Sequence, residues 1–311
     1  MSRIIFRPMR DEDRWPTAHV MSISGNYWNE AHGMGRAFPA GPQAAVFQFD
    51  VYRKLDVENL GYAAVDEGTG AVVGICFMHL RPTHVSLGTL NVHPNWFGQG
   101  VATGLVRRII DFATDENKPL RLVSSASNMD SYALYNRAGF VPIRTYQQMF
   151  LDVPPGGLKI SHSLASSVRD AEPGDVEGMV ELEMKLSGID RRRDWEYLIR
   201  NEDRVWHMSV FQTPGGPIEG FLCSIDHPLG GWMLGPGVAR TDDQAAALAL
   251  AELNRTPGRR VVFLFPNDRA SLAAQAYGWG ARVTEIQMHQ VLGEAKPLEG
   301  INFPAFVPET G

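Results

Sequence analysis

Two periods of apolar residues alternate along the 311-residue chain. A period of two predicts strands over 3–8, 60–66, 71–80 and 85–92, whose side chains take turns on the two faces of a sheet. Val101, Ala102, Leu105, Val106, Ile109, Ile110 and Ala113 recur at helical spacing and predict a helix over 99–116 with one buried stripe. A helix over 11–24, a partly helical segment over 27–54, a strand over 120–125, a helix over 129–137 and strands after Gly139 follow from the same reading. The order is that of an α/β fold with a mixed central sheet.

The strand "HVSLGTLNV" breaks its own pattern. Val85 and Leu87 fit one register and Leu90 and Val92 the other, so the alternation slips by one residue at Gly88 and Thr89. A β-bulge is the usual repair, and it splays the strand from its neighbour.

The pattern also repeats. Arg7 and Asp13 recur as Arg169 and Asp175, 162 positions later. Gly74 and Val92 recur as Gly220 and Val238, 146 later, and Asn128, Gly139 and Met149 as Asn267, Gly278 and Met288, 139 later. Constant offsets within blocks and changes between them are what loop insertions leave in a duplicated domain. The Pro-, Gly- and Ser-rich stretch 153–167 divides the copies, giving domains over 1–152 and 168–311, near the usual size of about 150 residues.

Composition narrows the function. A net charge of −6 disfavours a phosphate-backbone grip on nucleic acid. No apolar run reaches membrane-spanning length, and the N-terminus turns charged early, so a cytoplasmic chain with no membrane partner is expected. Cys76 and Cys223 sit in apolar runs as small buried hydrophobes. His79 and His84 have no third ligand in view, so no metal site is expected.

The turn "HPNWFGQGVATGL" opens the helix over 99–116. Glycines there let an anion approach the free N–H groups and positive dipole end of a helix. A phosphate-binding P-loop would need a lysine that is absent, and a dinucleotide site would need GxGxxG where Gly98, Gly100 and Gly104 give GxGxxxG.

With "LNVHPNWFGQGVA" after a slipped strand, and "NMDSYALYNRAGF" from Asn128 to Phe140, the first half resembles the GNAT superfamily of acyl-CoA-dependent N-acyltransferases. The resemblance implies two such domains in tandem, each a twisted mixed sheet with a bulged, splayed strand pair and flanking helices. It implies acetyl-CoA as cosubstrate, with the pantetheine arm along Leu90, Asn91 and Val92. The pyrophosphate would lie on the turn of Phe97, Gly98, Gln99, Gly100, Val101 and Ala102, and Asn128 would bond the CoA arm. Tyr135 would be the general acid that protonates the leaving thiolate. Phe97 departs from the family's Arg or Gln, and Gly88 stands where many relatives carry a catalytic Glu. Asp50, Glu30, His79 and His84 are base candidates by type and rough location.

The acceptor is expected to be a primary amine of a small molecule or peptide, walled by Tyr27, Trp28, Phe38, Phe47, Phe49 and Tyr52. The second copy has Ala274 in place of Tyr135, lacks the glycine turn and places Asp242 and Asp243 at its helix start. It is expected to keep the fold without CoA and to shape the acceptor site or a homodimer surface. The rival readings are a non-catalytic acyl-CoA or small-ligand sensor and, more remotely, a nucleotide-dependent oxidoreductase.

Overall fold

A computed structural model describes residues 3–56, 58, 60–226 and 232–305. The first half runs β1 (Ile4–Pro8), α1 (Arg14–Ala31), α2 (Pro42–Leu55), β2 (Gly61–Asp66), β3 (Val72–Leu80), β4 (Val85–Val92), α3 (Val101–Asp115), β5 (Leu120–Ser125), α4 (Met129–Arg137) and β6 (Val141–Asp152). The second repeats the order as β7 (Val168–Asp170), α5 (Val176–Ser187), α6 (Arg192–Arg200), β8 (Trp206–Gln212), β9 (Ile218–Asp226), β10 (Trp232–Ala239), α7 (Asp242–Leu253), β11 (Arg260–Pro266), α8 (Ala270–Gly278) and β12 (Arg282–Leu292). A short β13 (Ile301–Phe303) ends the described chain. The segment expected to be partly helical over 27–54 resolves into the end of α1, a loop and α2, which starts on Pro42 as first helical residue.

The repeated arginine and aspartate are struts. Arg7 donates to both carboxylate oxygens of Asp13 at 2.6 and 2.7 Å, and Arg169 does the same to Asp175 at 2.8 and 2.7 Å. Each pair clamps the end of the first strand of its half to the turn that opens the following helix, so the repeat in sequence is a repeat of one corner.

The strands join in one thirteen-stranded sheet, β1-β2-β3-β4-β5-β12-β6-β11-β10-β9-β8-β7, with β13 on β10. The last strand of each half is exchanged. β12 pairs with β5 (Gln287↔Ser125), β6 pairs with β11 (Tyr146↔Pro266), and the two exchanged strands pair with each other (Tyr146↔Gln287). Each half thus completes the other's sheet.

Alternation along β3 sends Cys76 and Met78 to the core under α3 and α4, and Ile75 and Phe77 to the core under α1 and α2. The second half has the same two-sided packing, with α7 and α8 over one face and α5 and α6 over the other. Val51 and Leu55 of α2 belong to the second half's core, and buried Arg81 donates to buried Asp194 across the halves at 2.8 Å. Such a pair is costly to break because the remaining charge would stay buried. The stretch 153–167 is laid along the second half. The Val153 N–H donates to the Arg259 carbonyl at 2.8 Å, and Leu158 and Leu164 pack on its core.

Candidate active site

The register slip in β4 is a bulge. Cys76 pairs with Leu90 and Met78 with Leu87, so Gly88 and Thr89 together oppose Phe77. β4 and β5 run parallel only at Val85↔Leu120 and Ser86↔Arg121 and then part. From Leu87 to Val92, including Leu90 and Asn91, the edge of β4 towards β5 has no strand partner among the described residues.

This open edge leads into the glycine turn. His93 accepts from the Asn95 N–H at 3.2 Å, and Gln99 donates to the Asn95 carbonyl at 3.0 Å. Gly98 and Gly100 take φ of +72° and +79°, a left-handed backbone that other residues enter at a cost. A Cβ at either glycine would meet nothing within 4 Å, so the turn is open. Gly100 is the N-cap of α3 and offers no side-chain cap, leaving the first amides, Val101 and Ala102 among them, for an external acceptor. Phe97 is about half exposed and sets its ring 5.7 Å from that of Tyr27, edge-on.

Asn128 caps α4, its side-chain oxygen accepting from the Ser131 N–H at 3.0 Å. Tyr135, about two turns further along, is buried among residues of β4, β5 and α3. Its ring is edge-on to Phe140, and no described residue hydrogen-bonds its hydroxyl. Burial, with a smaller push from Cys76, raises the phenol's pKa, so it holds its proton across the neutral range.

The base candidates divide. Arg14 grips both oxygens of Asp50 at 2.6 and 2.7 Å, and Arg36 holds exposed Glu30 at 2.8 Å, so both carboxylates are tied to surface arginines. His79 is buried on Asp56 at 2.8 Å. His84 is buried between the hydroxyls of Thr83 at 3.0 Å and Ser86 at 3.1 Å. Burial, reinforced by nearby arginines, holds both imidazoles neutral far below their usual pKa. Burial also raises the Asp56 carboxyl to about 7, against the opposing pull of Arg81.

Of the six expected wall aromatics, Phe49 and Tyr52 are core, and Phe47 packs on the second half's core beside Trp206 at 6.1 Å. Tyr27, Trp28 and Phe38 remain at least partly exposed. Two contacts escaped the sequence reading. The Tyr52 hydroxyl accepts from the Thr89 N–H in the bulge at 3.1 Å. Glu285 of β12 reaches the end of β5, where it accepts from Ser125 and, at 3.0 Å, from Ser127. Nothing local in sequence marks either one, since each depends on a distant pairing.

The second half has the same frame with its openings filled. β10 bulges at Gly235 and Pro236 and parts from β11 after Met233↔Val262. Along its freed edge lies β13, with Gly237↔Phe303, Val238↔Asn302 and Ala239↔Ile301 paired. Thr241 and Gln244 cap α7 reciprocally, at 3.3 and 3.2 Å. Asp242 and Asp243 add negative charge to that first turn. Among the described residues no group of three His, Cys, Asp or Glu could hold a metal ion, and no helix is long and apolar enough to cross a membrane.

Comparison with known proteins agrees with this frame. Residues 26–140 match the model of the acetyltransferase (GNAT) family, whose members transfer acyl groups from acyl-CoA to amines. No curated protein sequence matches the chain. A candidate acetyltransferase from Pyrococcus horikoshii superposes with a TM-score of 0.71 at 18% identity, over 95% of this chain and 91% of that one. A GCN5-related N-acetyltransferase from Sphaerobacter thermophilus gives 0.64 at 18% identity, over 95% and 97%. A tandem GNAT protein from the clavulanic acid biosynthesis pathway gives 0.61 at 14% identity, over 94% and 100%. At these identities the likeness is one of fold. Residues 26–140 thus match a GNAT acetyltransferase domain, and the chain as a whole shares the fold of a tandem GNAT protein.

Proposed function

We propose that residues 1–152 form the catalytic half of an N-acyltransferase that moves an acetyl group from acetyl-CoA to a primary amine of a small molecule or peptide. Residues 153–167 connect it to a supporting half over 168–311. The observation that carries this reading is the contrast between the two splays. In the second, a strand of the chain occupies the edge of β10, and side chains of the chain cap α7. In the first, the edge of β4 and the amides of α3 are both left for something else. An extended pantetheine amide chain suits the edge, as an added strand does, and a pyrophosphate suits the uncapped glycine turn.

The pantetheine then lies along Leu90, Asn91 and Val92, the pyrophosphate on the amides from Gly98 to Ala102, and the acyl group beside Tyr135. The neutral amine nitrogen attacks the thioester carbon, the C–S bond breaks, the thiolate takes the proton of the Tyr135 hydroxyl, and the proton leaving the nitrogen restores the phenol. Backbone N–H groups of β4 stabilise the oxyanion. With Phe97 turned to Tyr27, backbone amides supply the anion contacts of the turn.

Thiol release from acetyl-CoA with a panel of primary amines tests the reading. Tyr135→Phe should lower kcat at least about tenfold with acetyl-CoA affinity unchanged. Full activity in that variant removes Tyr135 as the acid. The lack of a carboxylate at Gly88 favours a second reading, an acyl-CoA sensor, which predicts tight CoA binding and no transfer to any amine.

A further inference from the structure

The strand exchange brings a carboxylate of the second half to the first half's splay. In the register Gln287↔Ser125, with the Ala126 N–H donating to the Ile286 carbonyl at 2.8 Å, Glu285 stands beside Ser127 just past the end of β5. It accepts from Ser125, from Ser127 at 3.0 Å and from the Gln287 amide at 2.8 Å. All three donors are neutral. Among the described residues Glu285 pairs with no Lys, Arg or His, whereas Asp50 and Glu30 are each bound to an arginine. A half-buried carboxylate held by neutral donors keeps its charge uncompensated, and an ammonium group is its natural complement.

The duplication shows what Glu285 faces. Gln287 meets Ser125 as Tyr146 meets Pro266, a spacing of 141, so Glu285 occupies the place that Arg144 holds in the second half. Arg144 donates to Asn302 of β13 at 2.8 Å, and Asn302 pairs with Val238 in the filled splay. By the pairing of β3 with β4 and of β9 with β10, Val238 corresponds to Asn91. The same relation in the first half turns Glu285 towards Asn91, where the open edge of β4 runs.

We propose that Glu285, supplied by the second half, receives the acceptor's ammonium group in the first half's cleft and takes its proton, directly or through one water. The inference rests on the acyltransfer reading above. The nitrogen gives one proton to Glu285, and its freed lone pair forms the N–C bond as the C–S bond breaks. The thiolate takes the Tyr135 proton. The second proton leaving the nitrogen restores the phenol, and Glu285 passes its own to solvent. The site therefore selects aliphatic amines that arrive protonated.

The test is Glu285→Gln, which keeps the shape and removes the charge, assayed in the full chain at pH 7 with two acceptor classes. Aliphatic amines arrive as ammonium ions, whereas arylamines are already neutral. The expected result is a fall of at least tenfold in kcat/KM for aliphatic amines, a change under about threefold for arylamines, and unchanged acetyl-CoA affinity by calorimetry. Equal losses for both classes, or no loss for either, overturn the role of Glu285 and leave the acyltransfer reading standing. A wild-type chain that binds acetyl-CoA and acylates neither class overturns that reading, and the role of Glu285 with it.

Discussion

The Tyr52 hydroxyl and Gly88 are mutually exclusive with a side chain at position 88, because a Cβ there would stand 2.3 Å from the Tyr52 oxygen. Tyr52 is fully buried, its ring stacked between those of Phe77 at 4.0 Å and His79 at 4.4 Å, so it has no room to retreat. The β4 position that could carry a catalytic carboxylate is taken by a hydroxyl from α2 bonded to the bulge backbone.

Gly88→Ala should accordingly destabilise the fold by roughly 1–3 kcal/mol, the usual range for overpacking a tight site. The cost should shrink in a Tyr52→Phe background, which removes the closest atom. A double-mutant cycle by urea unfolding measures the coupling, and additive costs would remove the claimed contact.

The two helix starts make opposite predictions. Gly100→Ala places a side chain at a φ of +79° in the turn and should cost about 1–2 kcal/mol while weakening acetyl-CoA binding at least tenfold. Thr241→Ala should cost about 1 kcal/mol through loss of its cap and leave acetyl-CoA binding unchanged. Calorimetry on the full chain should give one site per chain, and two sites would contradict the filled second splay.

Asp56 gives a pH signature. Its folded pKa, raised to about 7, lies above the unfolded value, so the folded state holds a proton the unfolded state has released. This favours folding below pH 4, and the benefit is lost as pH rises towards 7. His79 and His84 have the opposite sign, since their lowered pKa values cost stability as pH falls below about 6.5. Asp56→Asn should remove the first trend. The change in unfolding free energy between pH 5 and pH 7.5 should then be more favourable to high pH in the variant, and an identical change in both proteins would refute the assignment.

Strand exchange predicts that neither half stands alone. Residues 1–160 expressed separately would leave β5 without β12 and β6 without either neighbour, and the exposed strand edges should drive aggregation. Co-expression with 161–311 should restore a soluble pair that co-purifies. A monomeric, folded 1–160 fragment would show that β6 can turn back on β5.

Much of the first cleft was legible because local rules write it. A two-residue period cannot absorb an odd step without a bulge, so the sequence alone marks Gly88 and Thr89. The glycine turn and the Asn128-to-Tyr135 helix carry their meaning within a few residues. Pairing partners carry none. β6 and β12 are strands in either arrangement, and nothing local to "VPIRTYQQMFLD" says that it pairs with β11 and β12 and not with β5. The bond of Tyr52 to the bulge and the reach of Glu285 were hidden for that reason, and so was β13, three residues whose role lies in what they lie against.

The exchange also bears on how the chain can be inherited. A duplicated module usually leaves one copy free to decay and disappear. Here the copy without the glycine turn holds up the other's sheet through β12, so a deletion that removed it would disable the copy that kept the turn. Its substitutions can accumulate wherever the shared sheet tolerates them, but its presence cannot lapse. The duplication works as a ratchet, in which the two halves are free to diverge and unable to part.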